Sequence, residues 1–350
     1  MRYLISGGGT GGHIFPAVSI ANALKELDPQ AEILFIGADN RMEMQRVPEA
    51  GYRIVGLPIR GFNRAQPWKN ISVLIDLFRS MRMAKRIIRE FRPDAAVGVG
   101  GYASGAAMKV AARMGIPVLI QEQNGFAGVT NKLLKDDAQK ICVAYEGMEK
   151  FFPKQKLILT GNPVRQNLTA GKRTLPAGAK RLLVIGGSLG AKTINQAIAA
   201  HLSDIKANGI DLVWQTGRTY IDLYKHLADE GVVITDFLSD MPTEYANADL
   251  VISRAGASSI SEICLLGKAA ILVPSPNVAE DHQTHNAMAL VRKDAAVLVK
   301  DADAIEQLVP TALELLQDDQ RLATLRENAL HLAQPDSALR IAREVLSMVK

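Results

Sequence analysis

The stretch Gly7-Gly8-Gly9-Thr10-Gly11-Gly12-His13 decides the fold of this chain, because it joins a strand pattern to a helical pattern. The strand pattern covers residues 2–6, and the helical pattern covers residues 15–27, with Pro16 expected in the first turn. A strand, a glycine loop and a helix start place backbone N–H groups and a positive helix end against an anion. Gly7, Gly9 and Gly12 also match the dinucleotide fingerprint. The alternative is a tight turn that binds no ligand.

Length and composition indicate a two-domain protein of the reducing cytoplasm. The chain has 350 residues, more than one ordinary core holds, and its 48% hydrophobic and 22% charged residues are typical of a globular protein. Its two cysteines are too few for a disulfide framework or a cysteine-based zinc site. The start of the sequence lacks a secretory signal pattern. Lys109, Arg113 and several glycines interrupt the apolar residues 95–120, so we expect no membrane span.

Charge is distributed unequally along the chain. Residues 1–163 contain 22 Lys and Arg against 14 Asp and Glu, a formal charge of +8. Residues 164–350 contain 19 against 22, a formal charge of −3. This asymmetry indicates that the first part of the chain faces an anionic surface and the second part does not.

Strand and helix patterns alternate through the first part of the chain, which predicts a parallel sheet with helices on both faces. Informative loops follow strand ends at residues 7–13, 98–105 and 122–128, where ligands bind in such folds. The candidate strands are residues 2–6, 32–37, 53–57, 95–99, 117–121, 140–143 and 156–160, and the candidate helices are residues 16–27, 42–50, 69–91, 103–114 and 126–134.

The same alternation restarts after residue 180. A strand at 181–185, a glycine loop at 186–190 and a helix at 192–206 repeat the opening pattern. We therefore predict an α/β fold of two Rossmann-like domains, residues 1–163 and 164–336, facing a cleft lined by both sets of strand ends. A last helix, within residues 337–350, is expected to pack back on the first domain. The further candidate strands lie near residues 211–214, 231–234, 249–252, 269–273 and 296–299.

Two motifs of the second domain are suited to a nucleoside diphosphate. The loop Gly186-Gly187-Ser188-Leu189-Gly190 offers N–H groups and a hydroxyl to phosphate oxygens. The stretch 253–262 follows a strand and opens a helix, in which Glu262 would accept hydrogen bonds from two ribose hydroxyls. The alternatives are an unliganded turn for the loop and, for Glu262, a first-turn residue that complements the helix dipole.

Polar residues 280–286 follow another strand. Gln283 and Asn286 share a face suited to sugar hydroxyls, whereas the alternative makes Asp281 a helix cap. His282 and His285 are spaced like a pair of metal ligands, but no third ligand is evident. Asp301-Ala302-Asp303 matches an Asp-x-Asp metal motif, yet its place just before a helix favours capping. We therefore predict no metal site.

His13 ends the first glycine loop, and Asn124 lies at another strand end of the same domain. A lone histidine is most often structural. At the edge of an anion site, however, an imidazole is suited to take a proton from an attacking hydroxyl. His13 is therefore the candidate general base.

The helical pattern of residues 68–92 carries two stripes. One stripe is apolar throughout and is predicted to be core. The other is apolar and then basic, and together with Trp68 it predicts docking on an anionic membrane surface. The alternative is a fully packed helix with a solvated basic face. The core stripe is Leu77, Met81, Ala84 and Ile88, and the second stripe is Ile71, Ile75, Phe78, Arg82, Lys85 and Arg89.

Motifs in the same order along nearly the whole chain resemble those of the MurG family, the peptidoglycan N-acetylglucosaminyltransferases that convert lipid I to lipid II. The resemblance implies the GT-B architecture, inversion at the anomeric carbon and a peripheral place on the inner face of the cytoplasmic membrane. It also implies no cofactor, no nucleic-acid partner, and contacts with the machinery of cell-wall synthesis and cell division. The motifs are Gly8-Gly9-Thr10-Gly11-Gly12-His13-Ile14-Phe15-Pro16, Gly100-Gly101-Tyr102-Ala103-Ser104-Gly105, Gln121-Glu122-Gln123-Asn124, Gly161-Asn162-Pro163-Val164-Arg165, Gly186-Gly187-Ser188-Leu189-Gly190-Ala191, and Arg254-Ala255-Gly256-Ala257 with Ser261-Glu262.

The resemblance further implies roles for single residues. In the C-terminal domain, which would hold UDP-N-acetylglucosamine (UDP-GlcNAc), Arg165 and Ser188 would face the diphosphate, Leu238 the uracil and Gln283 the sugar. The nucleoside would contact Ala257, Ser258, Ser259, Ile260, Ser261 and Glu262. Thr10, Gly11, Gly12 and Asn124 would face the transferred sugar. Because the second glycine loop already accounts for the nucleotide, the first loop is expected to seat the diphosphate of the acceptor, with Gly8, Gly9, Gly100 and Gly101.

Three other functions stay open at this point. A UDP-sugar epimerase of the same fold would need neither a lipid acceptor nor an amphipathic helix. An NAD-dependent oxidoreductase could use Asp39 as its ribose carboxylate, but it would leave the second glycine-loop domain unexplained. A non-catalytic membrane adaptor would leave both glycine loops unexplained.

Overall fold

The computed structural model describes residues 1–61, 70–164, 168–187 and 189–349. The chain divides into two compact units: unit 1 is Met1–Arg165 with Asp336–Lys350, and unit 2 is Gln166–Pro335. Of the predicted site residues, Trp68, Arg165 and Ser188 lie outside the described residues, and so does the side chain of Ile71.

Unit 1 is built on a parallel sheet. Its strands are β1 (Arg2–Ser6), β2 (Glu32–Ala38), β3 (Arg53–Leu57), β4 (Ala95–Gly98), β5 (Val118–Glu122), β6 (Lys140–Val143) and β7 (Leu157–Leu159). Within the described residues, these seven strands have the order β3-β2-β1-β4-β5-β6-β7. The helices between them are α1 (Gly11–Leu27), α2 (Glu43–Glu49), α3 (Asn70–Phe91), α4 (Tyr102–Arg113) and α5 (Val129–Leu134).

Both faces of this sheet are buried, which explains why its strands are apolar at successive positions. On β1, Leu4 packs in the core under α3 and α4, whereas Tyr3 and Ile5 pack in the core under α1. Parallel strands covered on both faces are the expected result of a strand–helix alternation.

Unit 2 repeats this plan with its own core. Its strands are β8 (Arg181–Ile185), β9 (Asp211–Gln215), β10 (Val232–Thr235), β11 (Leu250–Ser253), β12 (Ala270–Leu272) and β13 (Val297–Leu298). The six strands found in the described residues have the order β10-β9-β8-β11-β12-β13 and are parallel. The helices are α6 (Lys192–Ala200), α7 (Leu202–Ala207), α8 (Ile221–Tyr224), α9 (Met241–Asn247), α10 (Ala257–Leu265), α11 (His282–Val291), α12 (Ala304–Gln317) and α13 (Asp319–His331).

The last helix, α14 (Ser337–Leu346), belongs to unit 1. Ile341, Ala342 and Val345 are buried in the same core as the inner face of α1. Two polar contacts fix the helix to the sheet: Lys140 Nζ lies 2.5 Å from Glu344 Oε2, and Arg340 Nη2 donates to the carbonyl of Leu159 at 2.6 Å.

Two helix boundaries differ from the expectations. Helix α1 begins at Gly11, so Pro16 is its sixth residue and the prediction of a first-turn proline is wrong. The expected helix 192–206 is two helices, because His201 leaves the helical conformation at φ −116° and ψ 22°. The ring of His201 there contacts the side chain of Asp204 and the carbonyl of Ile305.

Candidate active site

Each sheet has one point where the order of its strands reverses. In unit 1 the reversal lies between β1 and β4, and in unit 2 it lies between β8 and β11. Ligands of open α/β sheets bind outside the carboxyl ends of the strands at such a switch point. The loops at these four strand ends are residues 7–10, 99–101, 186–191 and 254–256, so each unit has two glycine-containing loops at its switch point.

The two loops of unit 1 touch through backbone atoms. Gly101 has φ +89°, and a Cβ atom on it would lie 2.6 Å from the carbonyl oxygen of Gly8. Gly100 has φ +94°, and its Cβ atom would lie 2.8 Å from Nε2 and Cδ2 of His13. Glycine is therefore required at both positions, by conformation and by the close approach of the first loop and the His13 ring.

His13 lies in the first turn of α1, at the switch point of unit 1. Its Nδ1 is 3.0 Å from the carbonyl oxygen of Gly8, and its N–H donates to the carbonyl of Thr10 at 3.1 Å. Because a carbonyl only accepts, the neutral ring in this hydrogen bond carries its proton on Nδ1, which makes Nε2 the proton-accepting nitrogen. In this tautomer Nε2 is the ring nitrogen that carries the lone pair.

Glu43, which the sequence interpretation missed, is fully buried beneath the first glycine loop. Its Oε2 accepts the N–H of Gly9 at 2.9 Å, and its Oε1 accepts the N–H of Ala38 at 3.0 Å. The expectation that this loop presents only bare N–H groups to an anion is therefore wrong for Gly9. The N–H groups of Gly11 and Gly12 open α1 and have no acceptor within a helix.

Asn124 is held at the end of β5 by a buried carboxylate. Oε1 of Glu122 accepts the backbone N–H and the side-chain amide of Asn124, at 3.1 and 3.3 Å. Oε2 of Glu122 accepts the N–H of Gly128 and the amide of Asn131, at 3.0 and 2.9 Å. This network positions Asn124, half-buried, at a strand end of unit 1.

The glycine loop of unit 2 packs against the loop that follows β9. A Cβ atom on Gly190 would lie 2.1 Å from the carbonyl oxygen of Thr216. Gln215 joins the glycine loop to a third segment: its Nε2 donates to the carbonyl of Gly187 at 3.1 Å, and its Oε1 accepts the N–H of Leu238 at 3.0 Å. Leu238 is buried and its N–H is engaged within unit 2.

Glu262 is the sixth residue of α10, so the alternative that made it a first-turn residue is wrong. The helix begins after Gly256, and Ala257, Ser258, Ser259 and Ser261 are partly exposed, whereas Ile260 and Glu262 are buried. The hydroxyl of Tyr245 donates to Oε2 of Glu262 at 3.1 Å. The carboxylate is therefore held in one orientation in the second turn.

Asp301 is not a helix cap, contrary to the expectation, because its carboxylate contacts Arg254 and Thr193 instead. Nη1 of Arg254 lies 2.5 Å from Oδ1 of Asp301 and 3.0 Å from the carbonyl of Val273. Asp303 also makes no side-chain cap at the start of α12. The ion pair fixes the loop after β11 to the segment before α12.

The backbone before α11 is unusual. Glu280 and Asp281 have φ values of 56° and 49°, a left-handed conformation that costs about 1 kcal/mol or more for such residues. Asp281 precedes α11 but makes no side-chain cap to the backbone, so the capping alternative is wrong. Gln283 accepts the N–H of Ser275 at 2.8 Å, and the amide of Asn286 donates to the carbonyl of Ala255 at 3.3 Å.

Helix α3 is half-embedded. Its core stripe contains Ala84 and Ile88, which are fully buried, whereas Ile75 is 50% exposed and Phe78 is 58% exposed. The guanidinium of Arg82 lies 4.7 Å from the centre of the Phe78 ring. Lys85 and Arg89 are exposed on the same helix. The alternative of a fully packed helix is therefore wrong.

Among the described residues, no group of three or more His, Cys, Asp and Glu side chains is placed to hold a metal ion. Burial raises the pKa of the thiols of Cys142 and Cys264 to about 12, so neither is a nucleophile near neutral pH. In the part of the chain that the structure describes, no helix has the length and apolar character needed to cross a membrane.

Known proteins match this chain along its length. The glycosyltransferase family 28 N-terminal domain matches residues 3–143, and the family 28 C-terminal domain matches residues 181–341. The UDP-N-acetylglucosamine--N-acetylmuramyl-(pentapeptide) pyrophosphoryl-undecaprenol N-acetylglucosamine transferase of Bacteroides fragilis is 58% identical over 100% of this chain and 96% of its own. The enzyme of the same name from Parabacteroides distasonis is 58% identical over 99% and 98%. The crystal structure of MurG from Acinetobacter baumannii has a TM-score of 0.81 at 27% identity and covers 99% of both chains.

The chain belongs to the MurG family. Membership confirms the resemblance found in the glycine motifs, and the two parallel-sheet units confirm the predicted Rossmann-like α/β architecture. As a member of the MurG family, the chain is a glycosyltransferase.

Three residues that support the candidate site escaped the sequence interpretation: Glu43, Gln215 and Tyr245. Each contacts a residue that the interpretation did single out, namely Gly9, Leu238 and Glu262. In the structure, Gly8 and Gly37 leave room for the side chain of Glu43. The sequence alone marks none of these three residues.

Proposed function

We propose that this chain transfers N-acetylglucosamine from UDP-GlcNAc to the C4 hydroxyl of the N-acetylmuramyl group of lipid I, which gives lipid II for peptidoglycan synthesis. One observation carries the proposal: a chain 58% identical to enzymes of that name over their full length has a glycine-containing loop pair at the switch point of each sheet. Two such loop pairs suit a reaction with two diphosphate-bearing substrates.

In this reaction the acceptor oxygen forms a bond to C1 of the sugar while the bond from C1 to the phosphate oxygen breaks. The electron pair of the broken bond leaves with UDP, and the hydroxyl proton goes to a base. Attack from the face opposite the leaving group inverts C1. N–H groups fixed at a helix start stabilise the charge that develops on the leaving diphosphate.

His13 is the general base of the proposal. With the proton of the neutral ring on Nδ1, which contacts Gly8, Nε2 is the nitrogen that would accept the proton of the C4 hydroxyl. Its place beside Gly11 and Gly12 supports this role, because these two residues are assigned to the transferred sugar, whose C1 the acceptor hydroxyl attacks. The diphosphate of the lipid acceptor would lie against Gly8, Gly100 and Gly101. Gly9 would contact the diphosphate without donating a hydrogen bond to it, since its N–H donates to Glu43.

Unit 2 would hold UDP-GlcNAc at its own switch point. The carboxylate of Glu262 would accept the ribose hydroxyls, and the residues Ala257 to Ser261 would line the nucleoside. Leu238 would cover the uracil, and the NH₂ group of Gln283 would donate to the sugar, since its carbonyl oxygen serves Ser275. Ser188 and Arg165, outside the described residues, are assigned to the diphosphate, and Thr10, Gly11, Gly12 and Asn124 to the transferred sugar.

We also propose that α3 docks the chain on the cytoplasmic face of the cell membrane. Ile75 and Phe78 would enter the lipid surface, while Arg82, Lys85 and Arg89 would face anionic head groups. The exposed fractions of the two apolar side chains and the charge of +8 in residues 1–163 support this. Trp68 and Ile71 are assigned to the same surface. Contacts with cell-wall and division proteins belong to the same proposal.

The function is tested by incubating the protein with radiolabelled UDP-GlcNAc and a lipid I analogue. We expect label in a lipid II product and release of one UDP for each sugar transferred. Conversion of UDP-GlcNAc to another UDP-sugar without acceptor would instead establish an epimerase. Absence of labelled lipid with a properly folded protein would overturn the proposal.

The role of His13 is tested by His13→Ala. We expect kcat to fall about 10²-fold or more, as is usual when a general base is removed, with little change in KM for UDP-GlcNAc. Near-normal turnover would leave His13 with a structural role only.

A further inference from the structure

Glu43 is a buried carboxylate with two backbone donors and no contact with solvent. Gly9 and Ala38 each donate an N–H to a different oxygen of its side chain, at 2.9 and 3.0 Å. A carboxylate only accepts hydrogen bonds, so it matches an N–H donor at each of its two oxygens. The Glu43 carboxylate therefore lies directly beneath the first glycine loop, bonded to its backbone.

The backbone around Glu43 is shaped for this side chain. A Cβ atom on Gly8 would lie 2.1 Å from Oε1 of Glu43, and one on Gly37 would lie 2.6 Å from its Cγ. Both glycines have ordinary backbone conformations, since neither has a positive φ. The absence of side chains at these two positions is therefore explained by the space that Glu43 occupies.

The N–H that Glu43 accepts and the carbonyl that His13 contacts belong to one peptide group. This group joins Gly8 to Gly9, with its nitrogen 2.9 Å from Oε2 of Glu43 and its oxygen 3.0 Å from Nδ1 of His13. A carboxylate on the N–H side polarises a peptide and makes its oxygen a stronger acceptor. Glu43, the peptide group and His13 thus form a chain of two hydrogen bonds.

We propose that Glu43 is a positioning residue that acts on His13 through the Gly8–Gly9 peptide group. The chain of hydrogen bonds holds the proton of the neutral ring on Nδ1 and stabilises the imidazolium that forms when Nε2 takes a proton. It performs through a peptide what a carboxylate in direct contact with a histidine performs in a catalytic triad.

Gly100 completes the arrangement from the other side of the ring, where a Cβ atom would come within 2.8 Å of Nε2. The loops in contact with the ring, residues 7–10 and 98–101, carry no ionisable side chain. The Glu43 carboxylate, beneath these loops, acts on the ring by polarising the Gly8–Gly9 peptide group.

The inference rests on the proposed function for the role of His13 as base, but its first test does not require turnover. The protein, labelled with ¹³C at Cε1 of its six histidines, is titrated by NMR, and the His13 signal is assigned with His13→Gln. In Glu43→Gln we expect the His13 midpoint to fall by about 0.5–1 pH unit, because the imidazolium loses the negative charge that favours it. Glu43→Asp keeps the carboxylate but moves it away from the Gly9 N–H by about one methylene group, so it should lower the His13 midpoint less.

The second test is kinetic. Glu43→Gln should lower kcat about 10- to 100-fold, as loss of an outer partner commonly does, and should leave KM for UDP-GlcNAc unchanged. In the His13→Ala background the same substitution should change the residual rate less than twofold, because Glu43 acts through the ring. Glu49→Gln is the matched control, since it removes the same charge from the exposed surface of the same helix.

The outcomes separate the two proposals. An unmoved His13 midpoint in both Glu43 variants overturns the role of Glu43, whether or not lipid II is made. If Glu43→Gln lowers kcat by the same factor in the wild type and in His13→Ala, the positioning role is also overturned. Glu43 would then only stabilise the conformation of the first glycine loop. A shifted midpoint without lipid II synthesis by the wild-type protein would support the coupling and refute the proposed function.

Discussion

The hydroxyl of Tyr245 donates to Oε2 of Glu262 at 3.1 Å, and both side chains are buried in unit 2. The bond links α9 to α10 and fixes the carboxylate that the proposal assigns to the ribose. A carboxylate that already accepts one bond is held in place before the nucleotide arrives, which reduces the ordering that binding requires.

Removal of this hydroxyl should weaken the donor site. Tyr245→Phe is expected to raise KM for UDP-GlcNAc about fivefold, or about 1 kcal/mol, with kcat nearly unchanged. Steady-state kinetics with a lipid I analogue measures both constants. Tyr224→Phe is the control, because its ring packs on Trp214 instead. An unchanged KM in Tyr245→Phe would contradict a positioning role for the hydroxyl.

Two glycines of the loop at residues 186–191 allow the cost of a positive φ to be compared with the cost of a steric clash. Gly187 and Gly190 have φ values of 84° and 88°, but a Cβ atom meets nothing within 4 Å at the first and lies 2.1 Å from the Thr216 carbonyl at the second. Gly187→Ala should lower the free energy of unfolding of unit 2 by about 1 kcal/mol, and Gly190→Ala by about 3 kcal/mol.

Fluorescence of the fully buried Trp214 in urea measures this difference in a Trp68→Phe background, since the chain has only these two tryptophans. Equal losses in the two variants would mean that the contact between the glycine loop and the Thr216 loop relaxes without cost.

Membrane docking by α3 should depend on its exposed apolar side chains. The double variant Ile75→Ser with Phe78→Ser is expected to lower binding to anionic liposomes about tenfold or more in a flotation assay. Binding of the wild-type protein should also weaken as salt is raised, because the attraction of the basic residues is screened.

The matched control replaces two leucines of unit 2 that are similarly exposed, at 61% and 54%, by Leu223→Ser with Leu330→Ser. The docking proposal is contradicted if the α3 double variant leaves liposome binding unchanged. It is also contradicted if the control lowers binding by the same factor.

Lys268 gives unit 2 a dependence of stability on pH. Burial, with Arg326 nearby, lowers the pKa of Lys268 from 10.5 to about 8. The unfolded chain therefore binds more protons between pH 8 and 10.5, so this residue makes the free energy of unfolding rise with pH across that window. Below pH 8 its charge opposes folding by a constant amount.

Lys268→Met should therefore be more stable than the wild type at pH 7, by about 1 kcal/mol after loss of the hydrogen bond to the Ala248 carbonyl. This advantage should shrink by about 3 kcal/mol, and so reverse, as the pH rises to 10.5. Urea unfolding followed through Trp214 at several pH values tests this. A difference that stays constant from pH 7 to 10.5 would show that Lys268 titrates normally in the folded state.

Local sequence was sufficient for the sheets. Strands such as residues 2–6, 53–57 and 181–185 were predicted with the bounds that the structure has, because runs of apolar residues between glycine loops and helix patterns have few other interpretations. The glycine loops at strand ends also followed from the alternation, since parallel order places all such loops at one edge of a sheet.

Contacts between distant residues could not be predicted in this way. Arg254 and Asp301 are 47 residues apart, so the sequence around Asp301 suggested only a cap, and the ion pair needed the folded sheet. Glu43 belongs to a seven-residue helix, and nothing near it in the sequence indicates that it faces Gly9. Periodicity gives the face on which a residue lies, but not its partner.

Because α14 belongs to unit 1, unit 2 lies in the sequence between two parts of unit 1, and it is synthesised between them. The ribosome completes residues 166–335 after the strands of unit 1 and before the helix that covers α1. At the usual 5–20 residues per second, roughly 10–30 s pass in which the apolar face of α1 lacks Ile341, Ala342 and Val345. Unit 2 is thus free to fold while unit 1 still awaits its last helix, and a nascent chain stalled before residue 337 leaves an uncovered apolar surface for a chaperone to bind.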